Sequence, residues 1–303
     1  MNKLGRKFVI LNMIIISSIA VLIAVLFYFI SSASQMTFTR SLGIIALMLT
    51  PIWLGSFLSA KIAMKPIQVS WQHQLDFTAD ASHELRTPLA VIQSNLELVM
   101  DNPDETVGSQ IKWLNNIHIE TVRMARLVND LLTLSRSDSG SKTLEYSRFS
   151  LNSAAAEAAA IFETVAGQKG ITIQVMADSE ISFWGDYLRI KQLLAILLDN
   201  AVKYSDKPGR IQIILVKKDS SIELAVWDTG VGIASEHLSK IFNRFYRAAY
   251  NNVSRAENDN QTTDGFGLGL SIAEWIVKEH GGSIKAEGAP NKGTRFTAVF
   301  QHK

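Results

Sequence analysis

The chain of 303 residues contains no cysteine. Disulfides and thiolate metal centres are excluded, and the composition suits a chain working mainly in a reducing cytoplasm. Charge is also scarce, at 19% of residues with a formal net charge of +2. No basic run stands out, so there is no reason to expect a nucleic-acid partner. A third lack is local. Two uncharged apolar runs are separated by only about ten residues, 31–41, too few to fold into an external ligand-binding domain.

Those runs are what the chain has in abundance, within 47% hydrophobic residues overall. The first, Phe8 to Ile30, is about 23 residues long, enough to cross a bilayer with some tilt. It is too long for the apolar core of a cleaved signal peptide, and a second run, Leu42 to Ala60, follows at once. Gly43, Pro51 and Gly55 inside the second run are tolerated in membrane helices, where neighbours re-satisfy the backbone. Lys3, Arg6 and Lys7 precede the first run, Lys61 and Lys65 follow the second, and only Arg40 lies near the connection. The positive-inside rule then places both outer ends in the cytoplasm. Residues 1–65 are expected to form a two-span hairpin in the plasma membrane. A stimulus would arrive through these helices, a membrane partner protein or the bilayer.

The rest of the chain serves one stretch, Phe77-Thr-Ala-Asp-Ala-Ser-His83-Glu84-Leu-Arg86-Thr87-Pro88-Leu89. Apolar residues at Ala79, Leu89, Ile92, Leu96 and Val99 describe an amphipathic helix with one buried seam and His83 off it. Pro88 lies within the pattern, and a kink is expected there. A lone histidine on such a face is ordinarily a surface residue. Glu84 can take the ring proton and leave the other nitrogen nucleophilic. Arg86 brings positive charge, and Thr87 stands one turn from His83, where its hydroxyl could position a water.

Asp101-Asn-Pro103-Asp104 ends this helix with turn chemistry. A second periodic segment follows over about 106–135, through Trp113, Ile117, Met124, Leu127, Leu131 and Leu134. Two such helices form an antiparallel hairpin that is not stable alone; pairing two hairpins gives a four-helix bundle and predicts a homodimer. The polar stretch Ser135 to Lys142 reads as a hinge.

Beyond it the period changes. Helices are expected over 153–166, 185–204 and 269–279, and strands over 171–175, 210–216, 222–227, 283–286 and 294–300. The expected fold is an α/β two-layer sandwich with helices on one face of a mixed sheet. Three clusters in it carry chemistry. Asn200, Lys203 and Tyr204 end the long helix; an amide oxygen suits Mg²⁺, and a lysine suits phosphate. Asp228-Thr-Gly230-Val-Gly232 follows a strand, where a carboxylate can accept from an adenine-type amine and the glycines permit close approach. Gly265-Phe-Gly267-Leu-Gly269 opens the last helix and bares backbone N–H groups for phosphate oxygens. It has neither the spacing nor the preceding strand of a Rossmann turn. Between the glycine clusters, Ala248 to Asp264 has few apolar residues and reads as a lid. The segment Ile241 to Arg247 supplies aromatic residues to dock it and arginines at its base.

The stretch around His83 resembles the phospho-acceptor box of bacterial sensor histidine kinases. The later clusters, in this order, resemble the N, G1, F and G2 boxes of the same family, on the Bergerat ATP-binding fold shared with Hsp90-type ATPases. The resemblance covers about Gln68 to the C-terminus. It implies that His83 is autophosphorylated from ATP, that Glu84 acts as base, and that Thr87 supports dephosphorylation of the partner. Asn200 would bind Mg²⁺, Lys203 the phosphates, and Asp228 the adenine. Tyr204 would lie near the nucleotide, Gly230 and Gly232 along the base pocket, and Gly265, Gly267 and Gly269 around the phosphates. Arg247 is a candidate for the γ-phosphate. The phosphoryl group would then pass to an aspartate on the receiver domain of a response regulator. Many relatives carry a second Asn where this chain has Ile196, for which core packing is the expected role. The domains implied are a membrane hairpin over 1–65, a dimerisation and phosphotransfer domain over 66–140, and a catalytic domain over 141–303. The linker module that many sensor kinases place after the membrane is missing. An alternative is a membrane sensor acting as a response-regulator phosphatase or a binding scaffold.

Overall fold

The computed structural model describes residues 71–72, 74–138, 144–205, 207–248 and 265–301, together with isolated positions between 14 and 69. It divides into two compact units, Met1–Ala79 and Asp80–Lys303. Most of both apolar runs lies outside the described residues. The positions described between 14 and 29 are helical, and Ile14, Val21, Ile23 and Phe29 present most of their side chains to the surroundings. A Cβ built on Gly55 would lie 3.1 Å from Cδ1 of Ile15, so the two runs touch at a glycine. Among the described residues no helix is long and apolar enough to cross a membrane.

The acceptor stretch is helical, and the helix (α1, 74–100) continues unbroken through Pro88. A turn over 101–106 follows, with Glu105 N–H donating to the Asn102 carbonyl. The second helix, α2 (Val107–Asp138), returns alongside. The two are pinned by side-chain amides, of which Asn95 and Gln110 are buried. Asn116 Nδ2 donates to Asn95 Oδ1 at 3.1 Å, and Gln110 Nε2 donates to the carbonyls of Val99 and Asn102 at 3.2 and 2.7 Å. The single seam expected on α1 divides. Pro88 and Asn95 are buried with Ile92 and Val99 half-covered, whereas Leu89 and Leu96 are each 46% exposed. One antiparallel neighbour covers one side of the apolar stripe. The other side, with Ile111, Val122 and Leu132 exposed on α2, lacks a cover among the described residues.

The remaining elements form two layers. A five-stranded sheet has the order β2-β4-β5-β7-β6, built from β2 (Ile171–Ala177), β4 (Gly209–Lys217), β5 (Ser221–Asp228), β6 (Ser283–Gly288) and β7 (Thr294–Gln301). Only β2 and β4 run parallel; the other pairs are antiparallel. Alternate residues of β4 and β5 (Ile211, Ile213, Leu215, Ile222, Leu224, Val226) are buried, so one face is covered. The cover is α3 (Leu151–Gln168), α4 (Tyr187–Tyr204) and α6 (Gly269–Glu279); α5 (Ser235–Leu238) is a single turn. Leu193, Leu194, Leu197 and Leu198 of α4 are wholly buried at the centre.

Two strands were not anticipated. β1 (Tyr146–Ser150) and β3 (Ser182–Asp186) pair antiparallel as a separate ribbon. The long helix therefore starts at Tyr187, two residues later than its apolar pattern suggests. Asp186 is the reason: its carboxylate caps the Arg189 N–H at 3.1 Å, as a short acidic side chain at a helix start should. The ribbon is latched to the end of α6. His280 Nε2 accepts from the Asp186 N–H at 3.0 Å, and Tyr146 Oη donates to the Glu279 carbonyl at 3.0 Å.

Candidate active site

Asp228 ends β5 and is 3% exposed. Its Oδ1 accepts from the N–H groups of Gly230 at 2.8 Å and Thr294 at 3.3 Å. Burial pushes this carboxyl up to about 6, and the two backbone bonds only partly oppose that. Near neutrality it is a desolvated anion held by one oxygen, a strong acceptor for a planar amine donor. Thr294, which the sequence reading missed, comes from a β-strand 66 residues away.

The two glycines of this loop are required by the packing of the protein's own backbone. A Cβ on Gly230 would meet the Tyr204 carbonyl oxygen at 2.1 Å; one on Gly232, where φ is +71°, would meet that of Ala289 at 1.8 Å. The protein's own backbone occupies the space, so the glycines let the loop seat between α4 and the β6–β7 turn. That turn is tied in by bonds from Asn291 N–H to the Val231 carbonyl and from Gly293 N–H to the Gly230 carbonyl.

On α4, Asn200 and Lys203 are half-buried and Tyr204 is exposed, one turn or less apart. Lys203 Nζ lies 5.4 Å from the Tyr204 ring centre and 3.9 Å from where Gly265 would carry a Cβ. The lysine therefore faces the glycine cluster that precedes α6. In that cluster Gly267 has φ +71°, and a Cβ there would lie 2.8 Å from the Phe245 carbonyl carbon. A Cβ on Gly269 would be 3.3 Å from Ile196 Cγ2. Ile196, half-buried, thus packs under the start of α6. The helix has no side-chain cap, so its first-turn N–H groups suit an anion.

The described residues include no group of three His, Cys, Asp or Glu that could hold a metal, which rules out a protein-built cage among them. The half-buried Asn200 amide offers one hard oxygen. That donor set fits Mg²⁺, which keeps its waters and takes phosphate oxygens.

His83 is exposed on α1 with Glu84 half-buried beside it and Thr87 exposed one turn on. Asp80, His83 and Glu84 form one wall of a cavity of about 400 Å³ whose other wall is Asn243, Arg244, Phe245 and Tyr246. Phe245 sits at φ +59°, unusual for a bulky side chain. Tyr246 Oη is held by His237 Nδ1 at 2.7 Å. Arg247 is exposed and is not among the cavity's lining residues. Most of the expected lid, 249–264, lies outside the described residues.

Two family models match the chain. Residues 73–140 match the His Kinase A (phospho-acceptor) domain, and residues 185–303 match the histidine kinase-, DNA gyrase B- and HSP90-like ATPase domain. The sensor protein CiaH of Streptococcus pneumoniae is 34% identical over 259 residues, covering 84% of this chain and 56% of that protein. The chain thus spans about half the length of the curated relatives it matches. The structure of the Acinetobacter baumannii histidine kinase AdeS aligns over 72% of this chain and 97% of that one, with a TM-score of 0.58 and 25% identity. The histidine kinase ThkA, solved in complex with the response regulator protein TrrA, aligns over 79% of this chain and 65% of that one (TM-score 0.61, 25% identity). The acceptor helix, the ATPase-type sandwich and these likenesses converge: the chain belongs to the bacterial two-component sensor histidine kinases.

Proposed function

We propose that the protein is a membrane-bound sensor kinase that phosphorylates His83 from ATP and passes the phosphoryl group to an aspartate of a response regulator. The observation that carries this reading is the cavity uniting His83 and Glu84 with residues 243–246, whose Phe245 backbone lies against Gly267 of the phosphate-type loop. In the reaction a ring nitrogen of His83 forms the N–P bond. The bond from the γ-phosphorus to the bridging oxygen breaks, and its electron pair leaves on ADP. Glu84 takes the proton from the other ring nitrogen. Asp228 accepts the adenine amine, Lys203 and the first turn of α6 hold phosphate oxygens, and Tyr204 and Arg247 flank the nucleotide. Asn200 would ligate Mg²⁺, which neutralises phosphate charge when bound. The residues contribute by position and charge.

The domain division at about 65 and 140, the homodimer and the membrane hairpin belong to the same reading. The dimer is supported by the uncovered stripe of Leu89, Leu96, Ile111, Val122 and Leu132. The hairpin is supported by the basic residues outside the two apolar runs, by the outward apolar side chains on the helical positions of the first run, and by the close approach of Ile15 to Gly55. A regulator as phosphoryl acceptor fits the ThkA relative, solved with one. Phosphatase activity is a second function favoured by Thr87, exposed one turn from His83.

The test uses the full chain in detergent micelles or vesicles with labelled ATP and Mg²⁺, beside His83→Gln. Acid-labile, base-stable label is expected on the wild type and none on the variant. Nucleotide bound without label would overturn the kinase reading in favour of the phosphatase or scaffold.

A further inference from the structure

The hairpin meets the catalytic half of its own chain in two places. One is the cavity, where His83 and Glu84 on α1 face Asn243 to Tyr246. The other lies on the second helix, where the Arg123 guanidinium stands over the Phe266 ring at 4.9 Å. Phe266 is 6% exposed and sits between Gly265 and Gly267, so its backbone belongs to the phosphate-type loop while its ring faces the hairpin. α2 and α6 also pack against each other. Both contacts converge on one structure, because Gly267 closes against the Phe245 backbone. The wall of the His83 cavity and the loop that would hold the phosphates are therefore two sides of the same residue.

We infer that His83 takes its phosphoryl group from the nucleotide bound by its own subunit, with the Arg123–Phe266 stack as the positioning contact. The inference rests on the kinase reading proposed above. Within one subunit the Phe245 backbone separates the His83 cavity from the phosphate-type loop, whereas donation from a partner subunit requires both intrachain contacts to open first.

Mixed dimers decide it. Full-length chains with two different tags are co-expressed, purified through both tags and given labelled ATP with Mg²⁺. Wild type paired with a His83→Gln/Asn200→Ala chain should carry label on its wild-type subunit. His83→Gln paired with Asn200→Ala should carry none. The reversed pattern, label in the second pairing and none in the first, would overturn the inference and leave the kinase reading intact. An unlabelled wild-type homodimer would remove both. Asp228→Asn replaces Asn200→Ala in a parallel set run at ATP well below that variant's weakened affinity, so that poor folding of one variant does not decide the result. Arg123→Ala in the wild-type homodimer should slow labelling at saturating ATP with nucleotide affinity little changed; an unchanged rate would remove Arg123 from the positioning role.

Discussion

The helical hairpin and the catalytic sandwich solve opposite problems. In the sandwich the proposed chemistry is set into a closed interior: Asp228 is 3% exposed, four leucines of α4 are wholly buried, and loop glycines sit against neighbouring carbonyls. In the hairpin the chemistry is outside: His83 and Thr87 are exposed, and so are Leu89 and Leu96. A nucleotide site gains from desolvation, which strengthens a few fixed contacts. Under the proposed function, the acceptor would meet a catalytic domain and then a separate protein, and it has to remain reachable. The hairpin keeps an apolar stripe with no cover among the described residues, which a second copy would supply under the proposed function.

The sharpest way to break this contrast lies in the sandwich. Gly232→Val would drive a side chain into the Ala289 carbonyl from a positive-φ position. It should cost about 3 kcal/mol or more and abolish nucleotide binding. Gly265→Ala, with only Lys203 Nζ at 3.9 Å, should stay within about 0.5 kcal/mol. Thermal unfolding of the two variants checks the pair. In the hairpin, Leu96→Glu should instead leave the sandwich folded and weaken the dimer by about two orders of magnitude, from the burial lost in both copies. Sedimentation would show this, and an unchanged dimer would move the interface elsewhere.

Two smaller effects depend on pH. The Asp228 carboxyl, ordinarily at 3.8, is raised to about 6 by burial, so the folded chain binds more protons than the unfolded chain between those values. This group's contribution to stability therefore increases as pH falls through that window. Nucleotide affinity should move the other way, weakening below about pH 6 as the acceptor is protonated. Asp228→Asn should lose about tenfold in affinity and flatten that dependence in a binding titration. His280 behaves oppositely in the stability measurement. Its Nε2 accepts from Asp186 N–H, so Nδ1 must donate to the Ile276 carbonyl 2.7 Å away, and burial lowers its pKa. Its contribution is full above the ordinary value of 6.5 and declines as pH falls below it. His280→Gln should cost about 1 kcal/mol at neutral pH and remove that decline, read from denaturant midpoints across the range.

What could be read from sequence follows the same divide. The acceptor helix, the turn at Pro103 and the helix at 269–279 were legible because their periodicity and breakers are local. The β1–β3 ribbon was not. Tyr146–Ser150 is largely exposed with no buried alternation, and Gly185-Asp186 reads as a helix start until the strand pairing claims it. The acidic N-cap at Asp186 was the available signal. Asp228 was visible by its place after a strand, whereas Thr294 and the Asn291–Gly293 turn that complete its surroundings are brought in by the sheet. The glycines were singled out for close approach to a nucleotide, and the fold adds a packing reason for them. Close backbone approach was the right physics, and the neighbour the fold supplies is a carbonyl of the same chain. The expected seam on α1 was one stripe because periodicity records apolar area without saying how many partners share it.

The buried amides between α1 and α2 set a limit on how a signal can travel. Asn95 is held by Asn116 and also donates to the Val91 carbonyl at 2.7 Å, while Gln110 grips two carbonyls at the turn. Sliding one helix along the other by a single turn would strip the buried Asn95 and Gln110 amides of their cross-helix partners. The hairpin consequently behaves as a splint. A pull or push reaching the start of α1 is transmitted as rotation or tilt of both helices together, and a piston stroke of one past the other is the least favourable response.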